Sequence, residues 1–71
     1  MSIDDLEWYP SASGEYCEHD GMTYSYIVRN GFYFVIVKEG VSGTEYNVTD
    51  VHTNEQAKHY ILKLIKEMKN D

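Results

Sequence analysis

Asn30-Gly31 stands between two runs of β-branched and aromatic residues, and no other dipeptide narrows the folding choices of this chain as much. The two-residue type I′ turn needs φ > 0 at both central positions, which Asn-Gly supplies at little cost. Residues 22–40 therefore read as an antiparallel hairpin. A two-residue loop also sets the register: Arg29 faces Phe32, and the pairing continues as Val28 with Tyr33, Ile27 with Phe34, Tyr26 with Val35, Ser25 with Ile36, and Tyr24 with Val37.

Side chains alternate across a strand. Tyr24, Tyr26, Val28, Tyr33, Val35 and Val37 thus share one face, the inner face. Thr23, Ser25, Ile27, Arg29, Phe32, Phe34, Ile36 and Lys38 share the outer one. An antiparallel sheet ordinarily has one dry and one wet face. Four large apolar residues in the middle of the second face call for a cover.

The best candidate for covering the inner face is a C-terminal helix over residues 53–69. Thr53-Asn54-Glu55-Gln56 fits the capping box, in which the Thr hydroxyl accepts from the third amide and Gln56 reaches back. Ala57, Tyr60, Ile61, Leu64, Ile65 and Met68 recur at the spacing of one helical face, with Lys58, His59, Lys63, Lys66 and Glu67 opposite. One helix covers one face of a four-stranded sheet. The outer residues Ile27, Phe32, Phe34 and Ile36 are then left for the N-terminal arm, a second copy or a partner.

The remaining segments complete the sheet. Residues 1–13 read as an acidic arm in which Leu6, Trp8 and Tyr9 are anchors. Pro10 disfavours helix before it, so residues 6–9 are extended, and Trp8 is expected to close one end of the core. Glu15–His19 is a strand that turns at Asp20-Gly21. A two-residue turn would set Cys17 opposite Tyr24. A three-residue loop with a Gly21 bulge would set Tyr16 there, and it is preferred because it buries a Tyr and keeps Glu15 and His19 off the inner face. Residues 39–43 hold two Gly and read as a loop. Residues 44–49 follow as a strand in which Tyr46 and Val48 alternate with Glu45 and Asn47. The expected architecture is α+β: a three- to four-stranded antiparallel meander over residues 14–49 with one helix on its inner face, ββββα in order.

A chain of 71 residues forms one small domain that buries only ~60% of its unfolded surface, so burial against a partner or a second copy is expected. Seven Tyr suit half-buried positions and interfaces. The formal charge of −6 is uneven: residues 1–20 carry Asp4, Asp5, Glu7, Glu15, Glu18 and Asp20 without a Lys or Arg. Binding to a phosphate backbone depends on Lys and Arg, so nucleic acid is a poor match and a basic protein surface a better one. With a single cysteine and no signal-peptide pattern, a reducing cytosol is the expected setting, and no apolar run reaches membrane-spanning length.

Chemistry has few candidates. Cys17 and His19 share a strand face, with His52 and His59 as distant partners, but a structural zinc site wants four ligands in paired short spacings. Solvated histidines and a small buried thiol are the plainer reading. Nothing marks an oriented base or an oxyanion site beside Cys17. The carboxylates Glu15, Glu18 and Asp20 read as a solvated charge run, and no glycines form a phosphate loop. No catalytic residue, metal site or cofactor is expected.

Two binding classes remain. One is a protein-interaction module whose contact surface is Ile27, Phe32, Phe34 and Ile36 with the acidic residues Asp4, Asp5, Glu7 and Glu18; self-association through the same face competes with that role. The other is single-stranded nucleic acid stacked on Phe32 and Phe34, for which Arg29 and Lys38 are sparse backbone contacts.

Leu6-Glu7-Trp8, Gly14-Glu15-Tyr16, Gly21 followed by Tyr24-Ser25-Tyr26, Tyr33-Phe34-Val35-Ile36-Val37, and Thr53 with Ala57-Lys58 together form a pattern. It resembles the short proteins of phages and other mobile elements that fold as a three- or four-stranded meander with one C-terminal helix. The resemblance implies a protein that binds and blocks a host protein, as anti-restriction and anti-CRISPR inhibitors do. The Thr-x-x-x-Ala helix start also resembles antitoxin-type sheet-and-helix proteins, which implies a protein partner too.

Overall fold

Asn30 and Gly31 adopt φ of 54° and 80°, the paired positive values of a type I′ turn. Every cross-strand pair expected from that turn forms, and the ladder runs one step further to Thr23 with Lys38. The computed structural model describes residues 2–69, with Met68 and Lys69 by backbone alone. After a single 3-10 turn at Ile3–Asp5 come β1 (Tyr9–Pro10), β2 (Glu15–His19), β3 (Met22–Arg29), β4 (Phe32–Glu39), β5 (Ser42–Val48) and α1 (Asn54–Lys69). The strands form one antiparallel sheet in the order β1-β2-β3-β4-β5. The fold is the expected α+β meander with one C-terminal helix, extended by a two-residue edge strand at its front.

The first hairpin departs from the expected register. Asp20 and Gly21 both have positive φ, 52° and 79°, so the connection is a two-residue turn, and Cys17 rather than Tyr16 faces Tyr24. Asp tolerates the left-handed conformation, which makes the bulge unnecessary. The compact thiol is completely buried between the layers. Tyr16 goes to the outer face instead, where its ring lies 5.4 Å from that of Tyr9. The segment read as a loop at residues 39–43 is also a hairpin turn, Glu39 pairing with Ser42 around Gly40-Val41. Gly40 has φ of 62°, as the first central position of a type II′ turn requires.

The core joins Cys17, Tyr24, Tyr26, Val35 and Val37 of the sheet to Val48, Val51, Ala57, Ile61 and Ile65. Tyr60 and Leu64 flank it half-buried, as the helical spacing foretold; the side chain of Met68 lies outside the described residues. Leu62, off that stripe, is buried as well. It stands one turn beyond Lys58 on the same flank, the flank that meets the N-terminal arm. The helix is capped by Thr53, whose Oγ1 accepts from the Gln56 amide at 3.1 Å. Gln56 reaches back past the cap to the His52 amide, 2.7 Å from its Oε1.

The arm as far as Trp8 belongs to the helix layer. Trp8 donates from Nε1 to the Ile3 carbonyl at 2.9 Å and packs edge-on against Tyr26, ring centroids 6.5 Å apart. The Lys58 ammonium sits 5.2 Å above the indole, and the 3-10 turn touches α1. Pro10 then takes an edge position, where a missing N–H costs no ladder bond.

Candidate functional site

Register alone places the outer-face residues in rows across the strands. Tyr9, Tyr16, Ser25, Ile36 and Glu45 form one, and Ile27, Phe34 and Asn47 the next, with Arg29 and Phe32 at the hairpin end and Glu18, Thr23 and Lys38 at the other. Neither α1 nor the anchored Trp8 lies on this side, since both pack on inner-face residues.

Phe32 is 67% exposed and Tyr9 42%, while Ile27, Phe34, Ile36 and Tyr16 are partly exposed, shielded by their neighbours in the sheet. The Arg29 guanidinium lies 5.1 Å from the centroid of Phe34. Tyr16, Thr23, Ser25, Ile27, Ile36 and Lys38, with Ser11, line an open depression of about 330 Å³.

One edge of this face is acidic. Tyr9 donates its hydroxyl to Glu7 Oε2 at 2.6 Å, and that carboxylate, with Glu18 nearby, raises the Tyr9 pKa above the ordinary phenol value. Of the residues singled out in the sequence, Ile27, Phe32, Phe34, Ile36 and Glu18 share the face, and Glu7 borders it through Tyr9. Asp4 and Asp5 sit on the 3-10 turn beside α1, and Asp5 Oδ2 accepts from the Ser2 amide at 2.8 Å. Tyr9 and Tyr16 were not anticipated as members. Taking Asp20-Gly21 as a two-residue turn would have found Tyr16, and its cross-strand neighbour with it.

The inner side holds a polar cluster of a different kind. Tyr26, completely buried, donates to Glu15 Oε2 at 2.5 Å, and Lys58 Nζ lies 3.0 Å from the same oxygen. The Tyr26 bond first, then Lys58, hold the Glu15 carboxyl below the usual range. Burial first, then Glu15, push the Tyr26 phenol well up. The cluster fastens β2, β3 and α1 together beneath Trp8, with the Glu15 and Lys58 side chains still partly exposed. Cys17 is sealed, its thiol pushed up to about 11 by burial, which keeps it protonated and a poor nucleophile at neutral pH.

Among the described residues, no three His, Cys, Asp or Glu side chains gather where they could hold a metal ion, and no helix is long and apolar enough to cross a membrane. No family model, curated protein or solved structure matches the chain.

Proposed function

We propose that this chain is a non-enzymatic, acidic protein-binding module of the cytosol that engages its partner through the outer sheet face. The observation that carries this reading is the side on which the arm packs. Trp8 and the 3-10 turn lie in the helix layer, so Ile27, Phe32, Phe34 and Ile36, joined by Tyr9 and Tyr16, keep their outward side. Aromatic residues at the centre of a patch and charge at its rim are the usual anatomy of a protein contact. The acidic border at Glu7 and Glu18 favours a partner with a basic surface and speeds encounter with it. The resemblance to mobile-element proteins supplies the finer form of the proposal: the partner is a host protein that is bound and blocked.

Single-stranded nucleic acid is the weaker alternative. Arg29 already occupies a face of Phe34, which takes away a stacking platform, and the acidic edge repels phosphates.

Tagged wild type and Phe34→Glu, passed over host lysate, test the proposal. A protein retained by wild type and lost by the variant, with the melting temperature unchanged, is the expected result. Equal retention by both would remove the outer face from the reading. Labelled single-stranded oligonucleotides should not shift in a gel at low salt; a tight shift would reverse the two alternatives.

A further inference from the structure

The two edges of the sheet are unlike. One is closed by β1, two residues long and ending in Pro10, which has no N–H to offer. The other is β5, Ser42–Val48, seven residues paired to β4 without a bulge from Glu39↔Ser42 to Tyr33↔Val48. It holds no Pro, Lys or Arg, and a single charge, Glu45. The devices that ordinarily blunt an edge strand are missing from it.

Hydrogen-bond direction along β5 follows from its turn. A two-residue turn makes its flanking residues, Glu39 and Ser42, a hydrogen-bonded pair, and the pattern alternates from there. Ser42, Thr44, Tyr46 and Val48 therefore bond to β4, whereas Gly43, Glu45 and Asn47 turn their N–H and C=O groups outward.

We propose that β5 pairs edge to edge with β5 of a second copy of this chain, antiparallel, with Tyr46 on the two-fold axis. A two-fold pairing that uses the outward groups has two central registers. With Glu45 on the axis, two carboxylates face each other, which is destabilising. With Tyr46 on the axis, Glu45 faces the partner's Asn47 and Asn47 faces the partner's Glu45, so each carboxylate meets an amide donor. The same register sets the partner's Val48 beside Thr44. The contact is isologous and closes as a dimer, giving one continuous ten-stranded sheet. It uses an edge, not the outer face, and stands independently of the partner-binding reading.

Sedimentation velocity of the full chain across a concentration series tests the pairing. Glu45 and Asn47 are exposed, so changing them leaves the fold intact, which circular dichroism melts verify. Wild type is expected to form dimers. Asn47→Lys should tighten them about tenfold and Asn47→Glu loosen them about tenfold, since each change acts at two symmetric contacts. Glu45→Lys combined with Asn47→Glu should restore the dimer by exchanging the charges. Monomers throughout the series for both wild type and Asn47→Lys would overturn the proposal. So would a dimer indifferent to Asn47, as the Glu45-centred register requires, or one abolished by Phe34→Glu, which would move the contact to the outer face.

Discussion

Gly14 has no room for a side chain: a Cβ there would fall 2.0 Å from the Tyr26 carbonyl oxygen. That closeness lets β2 cross against β3 where Tyr26 bonds Glu15, so Gly14→Ala must push the two strands apart. Its expected cost is about 3 kcal/mol, read as a lower urea midpoint at unchanged m; a midpoint equal to wild type would show that the strands yield freely. The Glu15 carboxyl one residue on gives a pH dependence of definite sign. Because its folded pKa is lowered, its contribution is complete above the unfolded carboxylate range and disappears as pH falls through the folded value. Tyr26 runs the other way, its raised pKa adding stability that is lost as pH climbs beyond the ordinary phenol value. Urea titrations of wild type and Glu15→Gln should therefore converge in acid and separate near neutrality. Parallel curves at every pH would show that the Tyr26–Glu15–Lys58 cluster contributes no proton linkage.

At the scale of elements, the Thr53 cap is the most separable part. Thr53→Ala loses the bond to the Gln56 amide, at about 1 kcal/mol, or a melting temperature lower by roughly 4–8 °C. A melt unchanged within error would mean that the His52–Gln56 bond holds the helix start alone. This helix and the central hairpin were legible in the sequence because short-range chemistry decides them: Asn-Gly admits one turn, and Thr53 with Gln56 marks one start. The first hairpin was not legible, because Asp-Gly serves either a two-residue turn or a bulged loop. What decided between them was the fit of Cys17, not Tyr16, beneath the helix, a matter of volume between layers that alternation along a strand does not encode. Gly40-Val41 hid a tight turn for a related reason: Val41 is fully exposed, and an apolar residue at a turn gives no punctuation. Leu62 escaped because it stands off the inner-face stripe, on the flank of Lys58, and no helical period reports what meets that flank.

At the scale of the molecule, alternation was enough to collect Ile27, Phe32, Phe34 and Ile36 on one side, but the side chosen by the arm depended on Trp8 finding Tyr26, Lys58 and the Ile3 carbonyl at once. The contact with Lys58 spans the whole meander, while the meander itself is built from neighbours. Hairpins form within about 1–10 μs, and contacts between distant segments come later because loop closure must precede them. The indole is thus a natural clock for the last event of folding. After a jump from denaturant, its emission should reach the native value behind the far-ultraviolet signal of the strands, and Lys58→Ala should lengthen the delay. Simultaneous traces would mean that the arm docks before the helix arrives. A chain emerging from the ribosome meets the same order: Trp8 waits without its Lys58 cover until α1 has been made.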